Sequence, residues 1–464
     1  MKKIVILSFV ALAFGSGAWA QNIANPAENA FLENGFVRIG EVQSVSRNNV
    51  GADSFLFPSG DKLVTGLHSS ISSEEFLSGL KPVNSKYNQI NNNLVSYGWK
   101  GRTRGFHTLE VGARVNYGLS VPKEIFQILK TGTAQSPYDL SSLRAFGNAY
   151  GEIAYGYSLP LGDKFSIGGR VKLLVGLNSV DVTARQFALT TTEEQYKLNL
   201  DADIDLTNRN KKIGTDDAGY LDYTSFSGKG KLGVPTGGGL ALDLGLVWKP
   251  FDGFSLSASV MDLGGIFWYY GNAGTSSGSY TFDGLKGLTT EDFKQDKIMS
   301  RINSLGEEVL AVVKPKAVDG RFKFKTIPLN TNLKASYEMP FWKNLSIEAS
   351  GLYTGYSYCA PYWEARGGMS LDFPHCFHLG ASAGGGACGF VYGANGSVDL
   401  QSFRLYASYE NGIGGVIPYE GMLLFCDIIF AAGDIFGETA LFGVPSSILV
   451  AKKPYICFSN TFSP

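Results

Sequence analysis

The chain carries little charge. Asp, Glu, Lys and Arg make up 17% of its 464 residues and nearly cancel, at a net charge of −1. A soluble protein typically carries roughly 25%. Without a basic excess, nucleic-acid binding driven by bulk charge is excluded. An apolar content of 44% excludes an acidic disordered chain. Histidine is scarce too, confined to His68, His107, His375 and His378. No HExxH, Walker A or Gly-x-Ser-x-Gly motif occurs. His375 and His378 flank Cys376, where a polar turn is a simpler reading than a metal site. His107 lies on the apolar parity of its segment, with no partner in sequence for a nucleophile–base pair. The chain therefore reads as a non-enzyme, with no catalytic residue, no cofactor, no metal and no nucleic-acid partner. Cysteine is limited to Cys359, Cys376, Cys388, Cys426 and Cys457, an odd number without metal-site spacing. Cys376 and Cys388 would pair only on adjacent strands, and isolated thiols are the simpler reading. After the first twenty residues no run of 18 apolar residues occurs, so no transmembrane helix is evident.

Glycine and aromatics are abundant. Gly numbers 58, and Phe, Tyr and Trp together reach 13%, whereas Gly averages about 7%. Such a composition suits an all-β chain, and a membrane-embedded one first. Residues 1–20 read as a bacterial export signal. Lys2 and Lys3 precede the apolar run Ile4 to Phe14, and Ala18-Trp19-Ala20 offers cleavage after Ala20, leaving Gln21. No Cys sits at the cut, so the chain does not read as a lipoprotein. An exported chain without a helical span is periplasmic, secreted or an outer-membrane barrel, because in lipid only helices and closed barrels satisfy every backbone group.

Periodicity favours the barrel. Leu109, Val111, Ala113, Val115 and Tyr117 alternate with Thr108, Glu110, Gly112, Arg114 and Asn116. Phe165, Ile167, Gly169, Val171, Leu173 and Val175 alternate with Ser166, Gly168, Arg170, Lys172 and Leu174. The same period of two recurs in Leu240 to Lys249, Leu345 to Ser350 and Phe403 to Glu410. The longer runs exceed the five or six residues of a soluble strand and match the nine to eleven or so that a membrane strand needs. A soluble sandwich also alternates but rarely sustains such lengths. The apolar parity suits lipid and the polar parity suits a lumen. That parity places Glu110, Arg114, Glu152, Arg170, Lys172, Asp243, Glu348, Arg404 and Glu410 inside, with mixed signs that should pair across the lumen. A ring of one sign, as in an ion-selective pore, is not seen.

A repeated hairpin sets the topology. Ser158 to Ile167, Trp248 to Leu256, Glu338 to Ile347 and Asp372 to Leu379 each join two alternating segments through a Pro and a polar turn. Short turns of bacterial barrels face the periplasm, so Pro160, Pro250, Pro340 and Pro374 should mark the inner rim. Tyr269 to Gly320 then becomes an extracellular loop, with a helix foreseen from Thr290 to Val313. Asp181 to Thr236 is a second outer excursion. There Asp201, Asp203 and Asp205 alternate, which reads as a solvated strand face rather than a calcium loop. Residues 21–90 are less regular and read as a plug or a rim. Ser72 caps a short helix, with Glu75 three residues on, and Pro122 opens another, running to Lys130.

These segments resemble an uncharacterised outer-membrane barrel family of Bacteroidota, a domain of unknown function. That family is similar in turn to the FadL long-chain fatty-acid transporters and to PorV-type barrels of type IX secretion. The resemblance rests on Leu63-Val64-Thr65-Gly66-Leu67-His68, Glu75 to Leu80, Ala149 to Gly156, Lys172 to Leu177, Gly239 to Gly245 and Ser257 to Gly264. The Asp-Leu-Gly elements are the more specific part. The match covers Phe31 to Asn411 and implies a single all-β transmembrane antiparallel barrel of about fourteen strands in the bacterial outer membrane, spanning residues 21–464. It also implies passive transport of a hydrophobic small molecule. The alternative is a structural or secretion-associated barrel that binds partner proteins at the cell surface. The first expects an apolar lumen pocket; the second expects a filled, polar lumen and an apolar loop surface around Tyr269 to Gly320. Outer-membrane lipid is a partner in either case. The tail 422–464 departs from the pattern, because alternation is lost near Met422. It reads as an altered or frame-shifted end, which sequencing the gene and its flanks would test.

Overall fold

The computed structural model describes residues 25–428 apart from 51–53, 61, 103, 134–136, 208–212, 223–233, 283–307, 309–311, 356–360, 374–376, 388, 401–402 and 414–418, and it describes no side chains at 48, 343 and 399–428. The export signal, most of the helix foreseen across Thr290 to Val313, the turn at Pro374, His375 and Cys376, and the tail beyond 428 lie outside the described residues.

The strands, in chain order, are β1 (Phe36–Asn48), β2 (Leu56–Ser59), β3 (Lys62–Thr65), β4 (Val83–Lys100), β5 (Phe106–Pro122), β6 (Tyr138–Asp139), β7 (Arg144–Leu161), β8 (Phe165–Thr191), β9 (Tyr196–Leu206), β10 (Gly237–Trp248) and β11 (Phe254–Tyr270). They continue as β12 (Asn272–Phe282), β13 (Lys316–Val318), β14 (Arg321–Thr326), β15 (Leu329–Met339), β16 (Trp342–Gly355), β17 (Tyr362–Phe373), β18 (Phe377–Gly386), β19 (Gly389–Leu400), β20 (Phe403–Ile413) and β21 (Tyr419–Ile428). Two short helices, α1 (Ser73–Ser78) and α2 (Lys123–Thr131), stand among them.

Antiparallel pairing runs from β1 through β4, β5, β7, β8, β10, β11, β15, β16, β17, β18, β19, β20 and β21. It returns to β1 through Val37↔Ile428 and its neighbours. The wall is thus a closed barrel of fourteen strands with no free edge. The alternation decides which face each side chain takes. Leu109, Val111, Ile153, Tyr155, Val171, Leu173, Leu240 and Leu244 are exposed on the outside, while Thr108, Glu110, Ser166, Lys172, Ala241 and Asp243 are buried within. An apolar exterior around a polar interior is a membrane barrel.

Trp248, Phe251, Phe341 and Trp342 crowd one rim beside Pro250 and Pro340. The turns β7–β8, β10–β11 and β15–β16 lie at that rim, as do the paired strand ends Phe373 of β17 and Phe377 of β18. The longer connections lie at the other. There β8, 27 residues long, continues past the wall and pairs with β9, which in turn pairs with β12. The excursion read from sequence as a loop from Tyr269 to Gly320 is thus largely stranded at its two ends.

Residues 21–90 do not form one unit. β1 and the start of β4 are wall strands, because both register with barrel neighbours along their length. Pro26–Phe31 is a 3-10 helix seated inside the barrel at the short-turn rim. The Ser158 hydroxyl donates to the Pro26 carbonyl at 2.5 Å and the Ser166 hydroxyl to the Ala27 carbonyl at 2.8 Å. Gly168 and Gly245 make room for it, since a Cβ at Gly168 would lie 2.5 Å from the Ala27 nitrogen and one at Gly245 would lie 1.9 Å from Asn25 Oδ1. At the opposite rim, β2, β3 and α1 form a small cap. Phe57, Ile71, Phe76 and Leu80 are its core, and Phe126 of α2 packs onto it. At the other end of the chain, residues 422–428, where alternation fails, still form a wall strand. Backbone hydrogen bonds build the ladder whichever side chains it carries.

Candidate functional site in the barrel lumen

The buried charges form one layer across the middle of the barrel. Arg114 on β5 pairs with Glu152 on β7 at 2.9 Å and with Asp262 on β11 at 2.8 Å. Lys172 on β8 lies 2.9 Å from Asp243 on β10 and 2.6 Å from Asp262. Arg170, two residues from Lys172 and on the same face, reaches Glu110 at 3.2 Å and Asp243 at 3.5 Å. Lys172 and Asp243 have side chains with 0% exposure. A charge this far from water persists only when its partners replace the lost hydration, and each of these has at least one at contact distance.

Six of the nine lumen charges foreseen from alternation therefore meet in one network: Glu110, Arg114, Glu152, Arg170, Lys172 and Asp243. Glu348 stands apart, paired with Lys334 at 2.6 Å. Arg404 and Glu410 lie on β20, where side chains are not described. Strict alternation missed Asp262, because the strand slips there. Counting by two from Ser255 through Ser257 and Ser259 puts Met261 inside and Asp262 outside. The β10–β11 register shifts between Leu242 and Leu244, so that two residues of β11 oppose one of β10. Both Met261 and Asp262 are buried as a result. Asp262 has φ +63°, the one described non-glycine residue in the left-handed region. Its backbone N–H donates to Asp243 Oδ1 at 2.8 Å, which ties the bulge to the neighbouring carboxylate. A bulge of this kind re-aims a side chain at a modest strain. β11 also changes neighbour here, pairing with β15 through Met261 and with β14 from Gly265 onward.

The network continues to the far wall. Asn330 on β15 donates to Asp262 at 3.3 Å, and the Thr354 hydroxyl on β16 donates to Asn330 Oδ1 at 2.9 Å. Arg47 on β1 donates to the Thr354 oxygen at 3.2 Å and lies 4.0 Å over the Tyr362 ring of β17. β1 and β16 stand on opposite sides of the ring of strands, so side chains from facing walls touch across the lumen. One cavity within it measures about 90 Å³ and is lined mainly by carboxamides and charges, well below the roughly 300 Å³ at which small-molecule pockets begin. This polar cavity is not the open apolar pocket expected for axial passage of a hydrophobic solute.

Apolar lining does occur, but as a packed layer on the cap side of the charges. Tyr150, Leu174, Ala241, Ile266, Trp268, Tyr270 and Ile327 are buried together. The wall beside them is thin. Gly237, Gly238 and Gly239 of β10 face Trp268, Phe267 and Ile266 of β11, and Gly265 and Gly264 face Leu240 and Ala241.

Beyond the wall, Asp203 and Asp205 are buried rather than solvated. The ladder Arg321, Lys323 and Lys325 of β14 faces them. Arg321 reaches Asp205 at 2.7 Å and Asp203 at 3.1 Å, Lys323 reaches Asp205 at 2.5 Å, and Lys325 pairs with Asp181. Arg185 bridges Asp201 and Asp203. The β14 partners of Asp203 and Asp205 lie more than 110 residues away in sequence, so the alternation of aspartates alone read as a wetted face. His107, unpaired in sequence, accepts or donates one bond with the Tyr155 hydroxyl at 2.7 Å and stacks on Trp99, on the outer surface near the short-turn rim.

A family model described as a family of unknown function (DUF5723) matches residues 33–408. No curated protein sequence matches the chain. Among solved structures, the chain is similar to a FadL homologue of Pseudomonas aeruginosa at 13% identity, covering 87% of this chain and 89% of that one with a TM-score of 0.43. It is also similar to the toluene transporter TbuX of Ralstonia pickettii, at 10% identity, 89% and 93% coverage and a TM-score of 0.41. The toluene transporter TodX of Pseudomonas putida gives 10% identity, 89% and 93% coverage and a TM-score of 0.39.

Proposed function

The chain belongs to this DUF5723 family of unknown function, and we propose that it is a passive outer-membrane channel for a small hydrophobic molecule, its lumen crossed by a layer of paired charges. The observation that supports this reading is the apolar layer around Trp268 and Tyr270, beside a glycine-thinned wall and the bulge at Asp262. An apolar solute gains nothing from the charge layer, which it would have to desolvate and part. It gains dispersion contacts and burial in the apolar layer, from which the wall between β10, β11 and β14 is the short way out to lipid. In this reading the rim of short turns, with Pro160, Pro250, Pro340 and Pro374, faces the periplasm. The cap and the long β8–β9 extension face outward, and the chain reaches the membrane after cleavage behind Ala20.

Native mass spectrometry with lipid extraction on the detergent-purified barrel tests the proposal. The expected result is a co-purifying apolar ligand, retained by the native barrel and lost when Ala241 or Leu174 is replaced by Trp. The filled, polar lumen favours a second reading, a barrel that holds a partner protein at the cell surface. A ligand-free barrel that brings down a stoichiometric protein would overturn the channel and support that role.

A further inference from the structure

The inner half of the lumen, between the 3-10 helix and the charge layer, holds the cavity that neither reading above uses. One side of it is a row of carboxamides on β1 and β4. Gln89 Nε2 donates to Asn91 Oδ1 at 3.0 Å, and Asn91 Nδ2 donates to Gln43 Oε1 at 2.7 Å. Each amide spends a donor on the next acceptor, so the row has a direction and ends on Gln43. Gln43 is 8% exposed, lines the cavity, and its Nε2 finds no acceptor. A buried amide donor left unmade is unfavourable, and in native proteins it is rare. Next to the row, Arg114 on the neighbouring β5 and, further round the wall, Arg170 on β8 also line the cavity, already paired with Glu152, Asp262 and Glu110. The charges lining the cavity are three arginines, counting Arg38, against four carboxylates, counting Glu41. An anion meets a surplus of carboxylates there, and a lone cation finds those carboxylates engaged. Among the neutral groups lining the cavity, Gln43 Nε2 is a donor left over.

The geometry points to a binding site for a small, uncharged, hydroxyl-bearing molecule in this cavity, with Gln43 Nε2 as the donor to one of its oxygens. A compact polyol fits the chemistry, since each hydroxyl both accepts from an amide and donates to one. The volume of about 90 Å³ limits it to a molecule of a few carbons. Asn91 is a positioning residue, because its bond to Gln43 Oε1 holds the Gln43 amide with its nitrogen toward the cavity.

Saturation-transfer NMR on the purified, folded full-length barrel tests this, with glycerol, glycine and acetate as separate probes. Transfer to glycerol, little to glycine and none to acetate is expected. Gln43→Leu should weaken glycerol binding about fivefold to tenfold, the effect of one neutral hydrogen bond. Gln43→Asn should lie between the two, and Asn91→Leu should weaken binding less than Gln43→Leu. Heat-modifiable migration on a gel verifies that each variant is a folded barrel. Where Gln43→Leu fails to fold, the comparison of Gln43→Asn with the native chain decides. Absence of transfer to every probe means a cavity that holds only water and overturns the site. So does glycerol binding that is unchanged in Gln43→Asn and Gln43→Leu, or binding of acetate equal to that of glycerol. Because glycerol binding is read directly, its failure leaves the test of an apolar ligand untouched.

Discussion

Two charge networks lie in one barrel, and they obey different physics. In the lumen, Arg114, Arg170 and Lys172 meet Glu110, Glu152, Asp243 and Asp262 with side-chain exposures of 12% or less. On the extension, Arg185, Arg321, Lys323 and Lys325 meet Asp181, Asp201, Asp203 and Asp205, and the cations range from 19% to 47% exposed. Water still reaches the outer cations, so losing a partner leaves them hydrated. The inner charges have only each other. The inner layer therefore works as a structural lock across the lumen. The outer ladder registers β14 against β9, where mutual attraction is weakened by solvent and salt.

The strongest way to break this contrast is Lys172→Met. It leaves Asp243 and Asp262 short of a buried cation and should destabilise the barrel by about 3–5 kcal/mol, read from urea unfolding in lipid vesicles. A loss under 1 kcal/mol would mean that the inner layer is as wet as the outer one. Asp262 separates charge from backbone. Asp262→Ala and Asp262→Gly both strip Lys172 and Arg114 of an anion, but Ala must also hold φ +63°. The Gly variant should therefore be the more stable of the two by about 1 kcal/mol. Equal stabilities would show that the bulge relaxes once the carboxylate is gone. Arg321→Gln should destabilise by only about 1 kcal/mol, because Lys323 still covers Asp205. Smallest of all, Arg185→Ala should change stability by less than about 1 kcal/mol, and the difference should fade in 1 M salt. The Lys172→Met effect should persist in that salt, so a salt-sensitive Lys172→Met would collapse the distinction.

Much of the lumen was legible because period two ties chemistry to geometry. Glu110 and Arg114 sit among Leu109, Val111 and Val115, and a slip of one residue would turn the charges to lipid. The membrane thus enforces the register that the eye reads. The same reasoning failed at Asp262, where a bulge adds one residue and reverses the parity. The Asp-Leu-Gly element was visible as a motif, but nothing in it says that its carboxylate faces inward. It failed again at Asp203 and Asp205, whose partners Arg321 and Lys323 stand far along the chain. It also read residues 21–90 as a plug or a rim, and their polar, irregular texture conceals a wall strand beside a 3-10 helix in the lumen and a cap at the far rim.

By itself the sequence determined the barrel, its lipid-facing side, the hairpins at Pro160, Pro250 and Pro340, and the mixed charge of the lumen. Each of these follows from a local rule: alternation, turn chemistry, or the need of a buried charge for a partner. Tertiary structure alone decided which side chains cross the lumen. The crossing is made by Arg47 reaching Thr354 from the opposite wall, by a helix whose seat is the absence of side chains at Gly168 and Gly245, and by Asp262 joining Arg114 to Lys172. These are meetings between residues far apart in sequence, and no local period encodes which of them will touch.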